Sequence, residues 1–390
     1  MTVAAPAPAA AAPRELDGLL RRACAAATGI PSGELPDAPT RRSANTPGEY
    51  TSALPLRLAG PTGRDARDLA ADVAARLRHC PQVVDARVDG PGFVTVALRP
   101  AARAALAPAV AGDPGGHLLG LPPRHRRSGR ADLPPGWALS SLERAPDPAG
   151  ARAWARADAR RRLALAVGTA TAADVAAALA EPTETGWRDV PQDASVGETA
   201  RLLALTGTAG ARVAFCRSAA DQVRPGETTG PDLPALPTPE HPGAWARATH
   251  ANPAFAVRYA HAHARTACER WAAALGRTRA PAHRTLTEAE TAALTDPAAE
   301  RLLGALFDAP AALQAATRRN QPHILVRYLE GLAAAYHDWW ESHDVLSGRA
   351  ADTHGPRAET TAARLDACAA VAGVLHAGLA LVGVSAPTRL

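Results

Sequence analysis

A chain of 390 residues with a net charge of +5 is long enough for two or three domains and a sizeable core, and its charge is mild for a nucleic-acid binder. Apolar residues make up 47% but aromatics only 4%, so alanine dominates, which favours closely packed helices and leaves too few Val/Ile runs for a large sheet. All 43 basic residues are arginine, which excludes a phosphate-binding loop of the GxxxxGK type.

The first 13 residues, MTVAAPAPAAAAP, lack the basic start and long apolar run of a signal peptide and read as a disordered tail. Arg14 to Gly29 has apolar positions at 16, 19, 20, 23 and 27, a helical period that Ile30 and Pro31 stop. A Pro/Gly/Asn-rich loop follows up to Gly48. Residues 64–79 repeat the helical pattern, with Leu69, Val73 and Leu77 on one stripe. The runs VVDARV (83–88) and FVTVAL (93–98) flank Asp89-Gly90-Pro91-Gly92, a hairpin signal. Together these make a small α/β layer.

Residues 106–150 hold many Pro and Gly and show no sustained period. Residues 151–180 read as helical, with Thr171 and Asp174 placed as cap and N3 acid. Residues 222–243 form a second loop-rich stretch. From Asn252 onward the pattern is almost entirely helical, near 253–276, 287–306, 310–317, 321–343 and 358–382, and short links between long helices imply a bundle. No segment approaches 18 uninterrupted apolar residues, so no membrane span is expected.

Residues 121–162 carry ten Arg against four Asp/Glu. Within them PPRHRRSGRADLPPG, with Arg126, Arg127 and Arg130, reads as a phosphate-contacting arm or a solvated linker. Cys24, Cys80, Cys216, Cys268 and Cys368 are odd in number, widely spaced and without a CxxC pair, against a disulfide framework or zinc ribbon and in keeping with a reducing cytoplasm. His261 and His263 stand two apart, which sends them to different faces of a helix, so they cannot jointly hold a metal there without outside ligands. Asp338, Glu341 and Asp344 read as a solvated acidic helix face. No GxSxG, HExxH or strand-linked GxGxxG occurs, and no cofactor is expected.

Three blocks resemble arginyl-tRNA synthetases, in the same order. The first is the helix from Arg14 with GEYTSALPL (48–56) and GPGFVTV (90–96), similar to the family's N-terminal additional domain. The second is SVGETARLLALTGTAGARVAFCRSAADQ (195–222), similar to the segment that leaves the catalytic domain. The third is NPAFAVRYAHAHAR (252–265), QPHILVRYLEGLAAAYHDWWESHDVL (321–346) and the closing LVGVSAPTRL, similar to the DALR anticodon-binding domain. The resemblance implies a mostly α fold: a disordered tail (1–13), a tRNA elbow-binding α/β domain (14–105), a linker and helical region in place of the catalytic domain (106–194), a helical connector with a Pro-rich loop (195–249), and a helical anticodon-binding bundle (250–390).

Only about 95 residues (100–194) separate the first two blocks, where the family places a nucleotide-binding domain of well over 200. No HIGH-type motif occurs, and without lysine a KMSKS-type loop cannot take its usual form. The implied protein is a non-catalytic, cytoplasmic tRNA binder, with tRNA-Arg the expected RNA, acting as adaptor or regulator. A protein-binding scaffold for a synthetase or tRNA-modifying enzyme, and a degenerate ligase with residual activity, are the alternatives. Neither membrane nor DNA is an expected partner.

Phe255 and Tyr259 share one face of their helix, and Arg258, His261 and Arg265 a neighbouring one. The reading is that one face enters the bundle while the other meets phosphate. The resemblance places Tyr259 and Trp340 at anticodon bases, puts Leu390 where the family ends in methionine, and loses one aromatic at Ala256. In the N-terminal domain it places Phe93 at the D-loop, with Thr95 where the family has Gln or Asn.

Overall fold

The computed structural model describes residues 12–43, 46–120, 142–167, 197–274, 285–343 and 356–389. They are mostly helical, with a small four-stranded antiparallel sheet of strand order β1-β2-β4-β3. Two compact units emerge. One gathers residues up to Gly112 with Arg270–Asp308 and Asp338–Ala370; the other gathers Asp113–Glu269, Ala309–His337 and Val371–Leu390. Neither follows a single stretch of sequence.

The first unit is built on the sheet: β1 (Arg41–Arg42), β2 (Glu49–Ser52), β3 (Val83–Asp89) and β4 (Phe93–Leu98). Helices α1 (Pro13–Thr28), α2 (Leu54–Thr62) and α3 (Ala66–Arg78) accompany it. Alternation along β4 sends Val94, Val96 and Leu98 into a core shared with Leu16, Leu20, Leu58, Leu69, Val73 and Leu77. Asp65 caps α3 by accepting from the amides of Arg67 and Asp68. The expected hairpin forms, and its turn needs glycine at 92: φ is 140°, and a Cβ there would lie 3.0 Å from the Ala66 carbonyl oxygen. A register shift between Val83 and Asp85 pushes Val84 out to 58% exposure, so this apolar residue on an otherwise alternating strand marks a bulge.

Several elements differ from the sequence reading. After a short helix α4 (Pro100–Ala104), residues 106–119, where the sequence shows no sustained period, form two more, α5 (Leu106–Gly112) and α6 (Pro114–Leu119). Each is too short to display a period, but Pro100 and Pro114 sit in first turns, where a missing N–H costs nothing. The helix expected over 287–306 is two, α10 (Glu288–Ala292) and α11 (Pro297–Phe307). Thr287 and Glu290 form a capping box for the first, and Asp296 before Pro297 restarts the second by accepting from two amides. At the end of α11, Phe307 packs on Tyr50 with ring centroids 4.6 Å apart, and Asp308 meets Arg42 at 2.7 Å.

The second unit contains α7 (Pro148–Val167), α8 (Glu198–Arg217), α12 (Ala309–Arg318) and parts of three long helices, α9 (Pro253–Ala274), α13 (Pro322–Ser342) and α14 (Pro356–Val382). Gly207 (φ 67°, ψ 159°) kinks α8. Buried arginines hold this unit together. Asp158 receives Arg212 at 2.9 Å and Arg162 at 3.2 Å, and Arg217 grips Glu330 through two nitrogens, at 2.7 and 3.0 Å.

Helix α14 does contain a segment, Ala358–Val382, long and apolar enough to cross a membrane. Most of it is buried inside the protein, which the core helix of a globular protein also satisfies. The five cysteines are free. The proposed cap at Thr171 and Asp174, the tail up to residue 11, and Asp344 lie outside the described residues; Asp338 and Glu341 are exposed, as a solvated face requires.

Burial at the start of α1 has a measurable consequence. Glu15 leaves its Oε2 without a hydrogen-bond partner among the described residues, and desolvation outweighs the pull of Arg14, lifting its carboxyl from 4.5 to about 7. The folded chain therefore binds this proton more tightly than the unfolded chain, so stability falls as pH rises from 4.5 towards 7. Glu15→Gln is expected to stabilise by about 1 kcal/mol at pH 8, a figure reduced for the group's partial exposure. At pH 4.5 the gain should vanish, and urea unfolding at the two pH values checks it.

Candidate nucleic-acid interface

The N-terminus of α9 is built by Asn252, which is 5% exposed and uses its whole amide. Its Oδ1 accepts from the amides of Ala254 (3.0 Å) and Phe255 (3.4 Å), while its Nδ2 donates to the carbonyls of Trp245 (2.9 Å) and Arg247 (3.0 Å). Pro253 follows in the first turn, where its lack of an N–H is harmless. Asn-Pro thus starts the helix and also ties it to the loop before it. Trp245, fully buried, anchors that loop by donating its Nε1–H to Pro234 at 3.0 Å.

From that fixed start, a spacing of four residues carries Phe255, Tyr259 and His263 up one side of α9. Phe255 and Tyr259 are near-parallel, with centroids 5.7 Å apart and 14° between planes. His337 from α13 lies near-parallel to Tyr259 as well, at 5.6 Å and 18°, and His250 meets Tyr259 edge-on at 5.4 Å and 83°. These separations fall within the roughly 4.5–7 Å of offset and edge-to-face aromatic pairs. The group deepens from exposed His250 and Tyr259 (37% exposed) to fully buried Tyr336, whose hydroxyl lies 2.9 Å from Nδ1 of His263.

The neighbouring face of α9 turns the other way from expectation. His261 is 4% exposed, with Nδ1 3.1 Å from the carbonyl oxygen of Pro387, and Arg258 is half-buried, reaching Ser385 at 3.4 Å. This face packs on the segment after α14, so His261 is corrected from a phosphate-facing residue to a buried one. The physical reason is that Val257, Ala260, His261 and Ala264 form the apolar stripe of α9, leaving Phe255 and Tyr259 towards the surface. Arg265 is exposed and paired with Glu269 at 2.9 Å. Trp340, late on α13, is half-buried, its ring 6.5 Å from that of Trp339. Leu390, Arg126, Arg127 and Arg130 lie outside the described residues.

In the first unit, Phe93 and Thr95 stand on the face of β4 opposite its core residues. Register lines up Arg41, Thr51, Thr95 and Arg87 in one row across all four strands. Thr95 is nonetheless 2% exposed, and its hydroxyl shares a 3.0 Å hydrogen bond with that of Thr51. The cover is an ion pair: Arg87 on β3 reaches across β4 to Glu49 on β2 through two 2.7 Å bonds. That pairing holds the Glu49 carboxyl below its usual value. Phe93 is accessible from solvent on this face and Thr95 is not, a correction that follows from strand order.

No group of three or more His, Cys, Asp or Glu among the described residues is placed to hold a metal ion. Of the aromatic group around Tyr259, the sequence reading singled out Phe255 and Tyr259; it gave His263 no binding role and missed His250, Tyr336 and His337. A search for aromatic and imidazole residues at i, i+4 would have found His263, but His250 and His337 come from other segments.

Residues 257–390 match the family model of the DALR anticodon binding domain. Curated relatives are arginine–tRNA ligases. That of Nitrosospira multiformis is 37% identical over 139 residues, 36% of this chain and 21% of the ligase. That of Frankia alni is 40% identical over 144 residues, 37% of this chain and 24% of the ligase. For Clavibacter sepedonicus the match is 35% over 192 residues, 48% of this chain and 29% of the ligase. The chain thus spans well under a third of the length of these relatives. The solved Thermus thermophilus arginyl-tRNA synthetase superposes on 97% of this chain and 100% of its own, at a TM-score of 0.50 and 14% identity, a likeness of fold alone. The stretch 257–390 therefore matches a DALR anticodon-binding domain and is similar in sequence to the corresponding part of arginine–tRNA ligases.

Proposed function

We propose that this chain binds tRNA through its DALR domain, with tRNA-Arg the preferred RNA, and that it does so without charging it, in the cytoplasm, as an adaptor that presents or sequesters tRNA. The observation that carries this reading is Tyr259, a 37% exposed ring displayed on the entry helix of that domain. Unstacked RNA bases are held by aromatic stacking and by hydrogen bonds at their edges, and the rings around Tyr259 offer both kinds of contact. The non-catalytic part of the reading rests on the sequence: no HIGH-type motif, no lysine for a KMSKS-type loop, and a short span between the family-like blocks.

The test uses the purified chain with total tRNA. Expected are salt-sensitive binding, enrichment of tRNA-Arg isoacceptors in the bound fraction, and no ATP–pyrophosphate exchange with arginine. Equal retention of all tRNAs would remove the tRNA-Arg preference, and absence of retention would remove the reading. Arginine-dependent exchange would replace it with a ligase.

A further inference from the structure

Three histidines crowd one exposed tyrosine. His250 comes from the turn before α9, His263 from α9 and His337 from α13. The rings of His250 and His337 are 5.2 Å apart at 86°, and those of His263 and His337 are 6.5 Å apart. His337 lies flat beside Tyr259 and His250 stands on its edge. Imidazoles this close repel one another when more than one is charged. Desolvation already lowers His263. A phosphodiester in reach of the group reverses that penalty, because each new positive charge then faces a negative one.

The fixed charges on the packed elements do not pre-empt this. On the turn before α9, Arg247 is held by Asp232 at 2.9 Å. On α9, Arg258 reaches Ser385 and Arg265 pairs with Glu269. On α13, Arg327 pairs with Glu330 at 3.3 Å, and Asp338 follows His337 as an exposed residue. Among the described residues, the titratable rings in contact with Tyr259 or with its ring neighbours include the three imidazoles and Tyr336.

We propose that His250, His263 and His337 are part of the RNA-binding surface itself, and that this surface takes up protons from solvent when a phosphodiester docks beside Tyr259. The inference rests on the RNA-binding reading above and adds to it both residues and a coupling to pH. Stacking alone would be indifferent to pH in this range; protonated imidazoles beside the stacked ring make the grip tighter as pH falls.

The experiment is fluorescence anisotropy of unfractionated tRNA with the full chain at pH 7.5 and 5.5, at constant ionic strength. Titration calorimetry in two buffers of different ionisation enthalpy counts the protons. Each proton taken up should tighten binding by about tenfold per pH unit where it is fully coupled. The double variant His250→Asn/His337→Asn should lose at least half of that slope. His79→Asn, an exposed histidine on the first unit, should keep it. His250→Asn alone serves as the second variant, since its exposed ring leaves folding intact, and near-ultraviolet circular dichroism checks both. An unchanged slope in the double variant, or zero proton uptake with tRNA bound, overturns this inference and leaves tRNA binding standing. No tRNA binding at either pH overturns both.

Discussion

Arg156→Ala is expected to cost about 3 kcal/mol or more of stability, because buried carbonyl acceptors lose their donor at about 1–3 kcal/mol each, while the partner carboxylate of Asp221 stays in contact with solvent. Arg156 is among the largest fully buried side chains and lies on α7 against the end of α8. The last carbonyls of a helix have no intrahelical partner and collect partial negative charge. Arg156 supplies what they lack: its Nη1 donates to Phe215 (3.3 Å) and Ser218 (2.8 Å), its Nη2 to Ala219 (3.2 Å), and its Nε to the Asp221 carboxylate (3.0 Å). Arg152, one turn away, adds the carbonyls of Ala220 (2.6 Å) and Asp221 (3.1 Å). Burial, with Arg156 nearby, brings Arg152 down to about 10, which still leaves it a cation at neutral pH.

Alanine at 156 would strand these acceptors, of which the bonds to Phe215 and Ser218 are buried. Arg156→Lys should recover less than half of the loss, because an ammonium is a point charge and cannot span three carbonyls and a carboxylate as a planar fork can. Urea unfolding followed by circular dichroism reads both variants, and a loss under 1 kcal/mol for the alanine variant would refute the account. The absence of lysine from the chain fits this use of arginine, since Arg162, Arg212 and Arg217 are buried in comparable forks.

What the sequence reveals follows from the range of each signal. The hairpin is legible because its turn glycines and alternating strands lie within 16 residues, and the start of α9 because Asn-Pro is a local cap. The break at Asp296-Pro297 is just as local, but alanine on both sides hides it behind an unbroken helical composition. The site is harder. Phe255 and Tyr259 are adjacent by helical periodicity, whereas His250 and His337 reach them through the fold. Which side of α9 faces out cannot be read from the polar residues, because buried His261 satisfies its Nδ1 on a backbone carbonyl far along the chain. The cover on Thr95 depends on β4 lying between β2 and β3, an order that sequence position alone does not state.

The second large effect belongs to binding. Tyr259→Ala should weaken tRNA binding by about 1–3 kcal/mol, the range for removing one base-stacking ring, or roughly 5- to 150-fold in affinity. Phe255 and His337 lie near-parallel to the tyrosine at 5.7 and 5.6 Å and hold its plane before any RNA arrives. A ring fixed in advance loses little freedom on binding, so more of the stacking energy appears as affinity. Tyr259→Phe keeps the plane and its neighbours and should stay within a few-fold of the original. Both variants should fold, because the side chain is more than a third exposed and its truncation opens no internal cavity. The link to Arg156 supplies a contrast. Its helix end leads into the loop carrying Trp245, which Asn252 ties to the start of α9. Arg156→Ala should therefore weaken stability and tRNA binding together, whereas Tyr259→Ala should weaken binding with the unfolding midpoint nearly unmoved. Undiminished affinity in a folded Tyr259→Ala chain would mean that RNA, if bound, is held elsewhere.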